Sequence, residues 1–304
     1  MASGKNIILF SIMIIFWALN YSLIKIALNF TSPSVLLFYR ILFSAIAIFI
    51  IFRKKIHLHI SRKEIMPLFI LSMLNVLIWM ELWFLAESTI SASLASILIY
   101  TYPIISTLFA VVLLKEKHNS YVFAGIAIGF AGIIVIFSKS IISGLKIGDV
   151  LALLGAVIWS FGTIYYMKYH INRDRETTNF FQFTFAIIPA LVIGGIADPK
   201  ITIFEPSLYL IALILIISIP GTAIAYFAFL QLNRQYGVST VSSFLFLVPA
   251  LSVVFGIIIL NEIPSIYEII GFILVAIGIV FSARGTNMKK KQAGNKLIQS
   301  KSRP

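Results

Sequence analysis

The chain alternates between long apolar runs and short polar connections over almost its whole length. The runs are continuous for roughly 18 to 24 residues, about the length that a helix needs to cross a bilayer, and they lack the alternation of barrel strands. Only helices or closed barrels satisfy backbone hydrogen bonds in hydrocarbon. We therefore predict an all-α integral membrane protein with ten transmembrane helices, at residues 7–28, 33–52, 66–86, 92–114, 121–138, 147–167, 178–197, 208–231, 238–260 and 266–282.

Composition supports a membrane protein without a further soluble module. Of the 304 residues, 60% are hydrophobic and 12% are charged, which is too little polar material to cover a water-soluble globule. The polar connections are too short for a folded catalytic or nucleotide-binding domain. The first span carries Asn20 and Lys25 and no small-residue cleavage site follows it, so we expect it to be retained. The absence of cysteine excludes disulfide and thiolate sites.

Basic residues are distributed unevenly between the two sides of the predicted membrane. If the N-terminus is cytoplasmic, 19 of the 24 lysines and arginines fall on the cytoplasmic side, three fall on the other side and two fall inside spans. By the positive-inside rule, both termini are cytoplasmic in a plasma or bacterial inner membrane. The net charge of +13 is thus explained by the topology of the chain in the membrane. We expect the lipid bilayer as partner and no nucleic acid. Residues 284–304 are predicted to be a basic, disordered cytoplasmic tail that acts as a topology anchor.

A segment of the first half recurs 146 residues later. S-L-A-S-I-L-I-Y-T-Y-P begins at Ser93, and S-T-V-S-S-F-L-F-L-V-P begins at Ser239. A weaker match around Trp17 and Trp159 has an offset of 142. The larger offset carries span 4 onto span 9, so each half has five spans, and an odd number predicts two inverted five-helix repeats, at residues 5–139 and 146–283. The aligned pairs include Ser96/Ser242, Pro103/Pro249, Ser106/Ser252, Glu116/Glu262, Gly125/Gly271 and Gly132/Gly278.

Prolines and glycines inside the spans predict helix breaks and close packing. Pro103 and Pro249 lie near the middle of their spans, where proline removes a hydrogen bond and kinks a helix. Span 8 carries Pro220 and Gly221, and span 3 has no proline at the matching place. Span 8 is therefore a candidate for a moving or unwound element. The glycines of spans 5 and 10 are predicted to let helices approach closely.

Several segments resemble the EamA family of the drug/metabolite transporter superfamily. They are F-W-A-L-N-Y-S-L-I-K, F-Y-R-I-L-F-S-A and the two copies of the repeated segment, and the resemblance covers about residues 5 to 283. It implies two inverted repeats around a central substrate cavity, alternating access, and substrates such as amino acids, nucleotide-related metabolites, amines or drugs, often carried outward. The chain departs from its own symmetry at Met167, which stands where Lys25 would be repeated, and residues 178–187 hold no counterpart of Arg40.

Three charged residues are predicted inside the membrane, in one outer layer: Lys25, Arg40 and Glu81. In a structural interpretation, Lys25 extends to the membrane surface and Arg40 pairs with Glu81. In a functional interpretation, the surplus positive charge attracts an anionic group of the substrate, or Glu81 changes protonation during transport. Glu81 is expected to be the only acidic residue inside the membrane.

Aromatic and polar residues on several spans form the predicted substrate cavity. Trp17, Tyr21 and Lys25 share one helical face, and span 6 repeats a similar spacing. Trp83 belongs to the same aromatic set, and an anchor at the membrane interface is the alternative for it. For Asn20, Trp17 and Trp159, packing between helices is an equal alternative. The predicted cavity, suited to a small amphipathic metabolite such as an amino acid, comprises Trp17, Asn20, Tyr21, Asn75, Trp79, Tyr100, Trp159, Thr163, Tyr166 and Tyr226.

These features predict a secondary transporter of small metabolites, working as an exporter by alternating access. The chain has no phosphate-binding loop motif, and we expect no cofactor, no metal and no enzymatic activity. A channel or lipid scramblase is one alternative. A membrane-embedded enzyme is a weak one, because His170 and Asp174 form H-x-x-x-D, one residue short of an acyltransferase spacing. The sequence is compatible with a monomer.

Overall fold

The structure is a computed structural model that describes residues 4–113, 120–198, 207–236, 241, 244–245, 247–281 and 284. Several residues that figure in the sequence predictions lie outside this part of the chain. They are Glu116, Ser239, Ser242, residue 238 at the predicted start of span 9, and the basic tail beyond residue 284.

Helices make up the regular structure of the described residues. We number the apolar helical segments in chain order. They are α1 Gly4–Ala27, α2 Pro33–Phe52, α3 Arg62–Thr89, α4 Ala92–Ile99 continuing as Tyr102–Leu113, α5 Ser120–Ser143, α6 Ile147–Tyr169, α7 Arg175–Ala197, α8 Leu208–Tyr236, α9 Leu247–Leu260 and α10 Ile266–Phe281.

The predicted all-helical membrane fold is confirmed. The segments α1 to α8 contain eight helices that are long and apolar enough to cross a membrane, and α9 and α10 are shorter apolar helices in the described residues. Each coincides with one of the predicted spans. The length of the apolar run therefore located the helices correctly, because a bilayer imposes a minimum span on any backbone that crosses it.

Serine residues precede α3 and α8 and cap their first turns. The Ser61 side chain accepts from the helix backbone and the Glu64 side chain reaches back to the Ser61 backbone, a capping box at the start of α3. At the start of α8, Ser207 Oγ accepts a hydrogen bond from the Leu210 N–H at 3.1 Å. Both caps satisfy backbone donors that have no partner within the helix.

Both α3 and α8 contain a π-helical segment, at Met73–Leu77 and at Ile219–Ile224. The irregular segment in α8 agrees with the prediction for span 8, and the one in α3 was not predicted. Pro220 and Gly221 explain the break in α8, but α3 breaks without proline. Its break is supported by side chains instead, because the Asn75 carbonyl accepts hydrogen bonds from Trp79 Nε1 at 2.8 Å and Tyr226 Oη at 3.1 Å.

The fourth segment, α4, is interrupted at Tyr100 and Thr101. Pro103 follows the interruption and lies in the first turn of the second piece, where proline sacrifices no intrahelical bond. Pro249 lies at the start of the described part of α9, in the first turn from Leu247. Pro103 thus stands near the beginning of a helical piece and not in the middle of an unbroken helix.

The helices pack in a crossed arrangement. α1 packs on α8 and α9, α6 packs on α3 and α4, α2 packs on α7 and α8, and α3 packs on α7. α5 meets α10 through glycines: a Cβ at Gly132 would overlap the Gly271 carbonyl, and a Cβ at Gly278 would overlap the Gly125 carbonyl. The main buried core lies between α1, α2, α3, α4, α6 and α8.

Candidate functional site

All four tryptophans of the chain meet in the centre of this core. Trp79 stacks on Trp159 with ring centroids 4.5 Å apart and on Trp83 at 5.6 Å. Trp17 meets Trp159 edge-on at 5.9 Å. They come from three helices, α1, α3 and α6, so the cluster ties the first half of the chain to the second.

A small void remains between these rings and their neighbours. Its volume is about 10 Å³, which is room for about one water molecule, whereas pockets that hold organic ligands usually measure about 300–1,000 Å³. A metabolite can therefore occupy this site only if the ring cluster rearranges. The lining residues are Trp17, Tyr21, Arg40, Trp79, Trp83, Tyr100, Trp159 and Tyr226.

Six of the ten residues predicted for the cavity line this void. The other four are buried but do not line the void. Thr163 Oγ1 donates to the Trp159 carbonyl at 3.0 Å. Tyr166, one turn further along α6, is buried and its hydroxyl has no partner among the described residues. Asn20 bonds to the break in α8, and Asn75 lies within the break in α3.

Two further residues line the void. Trp83, for which a cavity wall and an interface anchor were the two alternatives, is 3% exposed and its ring forms part of the cavity wall. Arg40 is 1% exposed and lines the same void. Counting residues from the helix end could not show which helix the Arg40 side chain would face.

The predicted pair between Arg40 and Glu81 is wrong. Arg40 Nε donates to Thr222 Oγ1 at 2.8 Å, and the Glu81 carboxylate accepts a hydrogen bond from the Ser34 hydroxyl. Lys25 is partly buried. Its Nζ donates to the carbonyls of Glu87 and Ile90, at 2.5 and 2.7 Å, at the C-terminal end of α3, where a cation satisfies free carbonyls and interacts favourably with the helix dipole.

Glu87 is a second buried acid that the sequence prediction missed. It follows the predicted end of span 3, but α3 continues to Thr89, and the Glu87 side chain is 0% exposed. Its Oε2 accepts from Trp83 Nε1 at 2.5 Å, and its Oε1 is buried without a partner among the described residues. The i, i+4 spacing of Trp83 and Glu87 was the available signal.

Amide side chains connect the break in α3 to α7. Asn75 Nδ2 donates to Gln182 Oε1 at 2.9 Å, and Gln182 Nε2 donates to Asn179 Oδ1 at 2.9 Å. Ser72 Oγ donates to the Gln182 carbonyl at 2.6 Å. Every residue of this network is buried, so it fixes the position of the break.

Asn20 connects α1 to the break in α8. Its Nδ2 donates to the Gly221 carbonyl at 2.9 Å, and a Cβ at Gly221 would overlap the Asn20 side chain. Glycine at this position therefore permits the close crossing of α1 and α8. On the opposite side of the core, Gly162 of α6 lies against the backbone of Asn75, which a Cβ would meet at 3.1 Å.

Comparison with known proteins relates the chain to transporters. The model of the EamA-like transporter family matches residues 4–138 and 146–284. An uncharacterized transporter of Archaeoglobus fulgidus is 29% identical over 285 residues, which covers 91% of this chain and 96% of that protein. The uncharacterized transporter YvbV of Bacillus subtilis is 27% identical, with 90% of each chain covered. The uncharacterized inner membrane transporter YedA of Escherichia coli is 24% identical, with 82% of this chain and 80% of that protein covered.

A solved crystal structure has the same fold. Its TM-score is 0.64, and the alignment covers 94% of this chain and 99% of that chain, with 17% sequence identity. At this identity the likeness concerns the fold alone. The relatives named above are transporters by name, and this agrees with a multi-pass membrane protein.

Proposed function

The chain belongs to the EamA-like transporter family, and on this premise we propose that it is a secondary carrier of small amphipathic metabolites, such as amino acids or related compounds. The carrier works by alternating access through the aromatic cavity, and it exports its substrate across the plasma or bacterial inner membrane. The observation that carries this proposal is the position of the cavity: its wall includes residues from both broken helices, Trp79 and Trp83 on α3 and Tyr226 on α8.

Two inverted repeats account for the helix boundaries. α3 and α8 begin at Arg62 and Leu208, which are 146 residues apart, and α5 and α10 begin at Ser120 and Ile266, also 146 apart. α1 and α6 end at Ala27 and Tyr169, which are 142 apart. These are the two offsets of the sequence repeat, and the family model matches one stretch in each half.

The packing of the helices supports the same arrangement. Exchanging the halves turns the contact of α1 with α8 into that of α6 with α3, and the contact of α1 with α9 into that of α6 with α4; both members of each pair exist. Five helices in each half require that the halves cross the membrane in opposite senses. Such carriers bind at the repeat interface, where discontinuous helices meet.

The closed void explains why a conformational change is part of the proposal. A void of about 10 Å³ excludes any metabolite, so transport requires that the helices around it move. The π-helical segments at Met73–Leu77 and Ile219–Ile224 are places where a helix can bend, because their backbone hydrogen bonds are already irregular. The excess of basic residues on one side supports cytoplasmic termini.

Counterflow in proteoliposomes tests this function. Vesicles loaded with unlabelled phenylalanine, leucine or threonine should accumulate the labelled amino acid by saturable exchange. Trp159→Ala should abolish the exchange, because the Trp159 ring contacts three other walls of the cavity. Phe161→Ala is the matched control on the same helix, because Phe161 is 39% exposed and stacks on Phe109 outside the cavity. A current proportional to voltage, without exchange, would favour a channel.

A further inference from the structure

Arg40 is a buried cation whose hydrogen-bonding capacity is only partly used. Its guanidinium lies over the ring faces of Trp83 and Phe84, with Cζ 4.9 and 5.4 Å from their centroids. Nε donates to Thr222 Oγ1, but Nη1 is buried without a hydrogen-bond partner among the described residues. A buried donor without an acceptor is costly and rare, so its presence beside a void needs an explanation.

The nearby acids do not neutralise Arg40. Among the described residues, no ion pair joins its guanidinium to a carboxylate. Glu81 bonds to Ser34, and Glu87 accepts from the indole N–H at the edge of Trp83, whereas Arg40 lies over the face of that ring. The void keeps an unpaired positive charge in its wall.

The chemistry of this wall selects a class of ligand. A guanidinium presents parallel N–H groups that match a carboxylate, and one cation balances one monovalent anion. The rest of the lining is made of Trp and Tyr rings, which suit an apolar or aromatic group. A phosphate ester would bring about two negative charges against this single cation. A small organic carboxylate with an apolar or aromatic remainder fits both parts of the wall.

We propose that Arg40 binds the carboxylate of the transported substrate, and that the cavity therefore selects compounds that carry one carboxylate, amino acids included, over cationic compounds and compounds without a charged group of the same size. The inference rests on the proposed function, since it names the substrate class of the same cavity. Because Nε of Arg40 also holds Thr222 in the break of α8, an anion at Nη1 is connected through one side chain to a helix that must move.

Intrinsic fluorescence tests this proposal directly, because all four tryptophans of the chain lie at the cavity. The purified protein is titrated with 3-phenylpropionate and with 3-phenylpropanamide, which has the same shape without the charge. We expect the carboxylate to change the fluorescence saturably at a concentration about tenfold lower than the amide. Equal half-saturation for the two compounds, or no saturable change with the carboxylate, overturns the proposal.

Arg40→Gln should remove the preference and leave the weak response to the amide. Arg40→Lys keeps the charge without the planar fork, so we expect an intermediate preference. Arg53→Gln, on the exposed segment after α2, is the control and should behave as the wild type. A wild-type preference retained in a folded Arg40→Gln protein contradicts the proposal. If neither Arg40 variant folds, the comparison of the two compounds on the wild type still decides.

Failure of this inference differs from failure of the proposed function. Exchange of labelled amino acids that continues in Arg40→Gln would leave the carrier intact and refute the role of Arg40. Saturable binding of 3-phenylpropionate to a wild type that shows no counterflow would leave the anion site intact and refute the carrier.

Discussion

The two breaks, in α3 and α8, occupy matching positions but are held by different chemistry. Met73 and Ile219, the first residues of the two π-helical segments, are 146 residues apart. The break in α8 receives hydrogen bonds from Asn20 of α1 and Arg40 of α2. The break in α3 is held by Gln182 of α7, through a neutral amide network. One break is therefore attached to an unpaired cation, and the other to neutral amides.

At the helix crossing beside each break, an asparagine packs against a glycine, but the broken helix contributes the glycine in α8 and the asparagine in α3. Asn20 of α1 lies on Gly221 of α8, and Gly162 of α6 lies on Asn75 of α3. Asn20 and Gly162 are 142 residues apart, and Asn75 and Gly221 are 146 apart, so asparagine and glycine exchange places under the proposed repeat arrangement. A large residue against a small one is kept at each crossing. The side-chain amide of Asn20 donates across its helix crossing, to Gly221 of α8. The side-chain amide of Asn75 donates instead to Gln182 of α7, which does not belong to the crossing of α3 with α6.

This difference suggests separate roles for the two halves. Arg40 lies on α2 and Gln182 lies 142 residues later, on α7, the counterpart of α2 under the proposed repeat. Only Arg40 lines the void. We interpret the α3 break as the fixed wall of the cavity and the α8 break as the element that responds to substrate. The following predictions test this contrast.

The largest effects are expected when the two glycines are enlarged. Gly162→Ala should lower the free energy of unfolding by about 3 kcal/mol and Gly221→Ala by about 2 kcal/mol, because each new Cβ overpacks a crossing. The Cβ at Gly221 meets side-chain atoms of Asn20, whereas that at Gly162 meets backbone atoms of Asn75 and Leu74. Asn20→Ala should therefore rescue Gly221→Ala, and Asn75→Ala should not rescue Gly162→Ala.

Thermal unfolding of the single and double variants in detergent measures both interactions. Gly195→Ala is the control, since a Cβ there meets nothing within 4 Å. Rescue of both glycine variants, or of neither, would mean that the two crossings are equivalent and would refute the contrast.

Substitutions of Gln182 and of Arg40 should change the stability of the protein by a medium amount and in opposite directions. Gln182→Met leaves Asn75 Nδ2 and Asn179 Oδ1 without their partner, so we expect a loss of about 2 kcal/mol of stability. Arg40→Met removes a buried, unpaired charge, so the unfolding temperature should stay equal or rise while binding of 3-phenylpropionate is lost. An Arg40→Met protein less stable than Gln182→Met would indicate that Arg40 is a structural anchor.

The smallest effect is expected at Lys25, which stabilises the end of α3. Lys25→Met should cost about 0.5 kcal/mol, because the carbonyls of Glu87 and Ile90 lose a cationic donor. Methionine occurs naturally at the equivalent Met167, so the fold tolerates it. Unfolding measurements on Lys25→Met alone suffice, and a loss above about 2 kcal/mol would show that Lys25 belongs to a larger buried network.

The positions of the helices were predictable from the sequence because a membrane span is a property of a continuous stretch of chain. Each predicted span coincides with an apolar helical segment. The break in α8 was predictable from Pro220 and Gly221, since proline removes a backbone donor. The break in α3 could have been inferred by applying the repeat offset to that break.

The arrangement around Arg40 was not predictable in the same way. The depth of Arg40 follows from its distance to the helix end, but its partner depends on how α2 rotates against α8, where Thr222 accepts its Nε–H. Glu81 was assigned to Arg40 because opposite charges at equal depth attract. The structure places Ser34 nearer to Glu81, and neighbouring helices decide such contacts.

Alternating access of the aromatic cavity is the central claim, and labelling of a single cysteine tests it most directly. The chain has no cysteine, so Tyr100→Cys would provide the only thiol, at a position that is 3% exposed and lines the void. Ile188→Cys is the control. Ile188 is 72% exposed on the outer face of the candidate membrane span α7, where lipid is expected to cover it, so a membrane-impermeant maleimide should not label this variant. We predict that the maleimide labels Tyr100→Cys from either side of the membrane, in right-side-out and in inverted vesicles. Labelling from one side only would contradict alternating access.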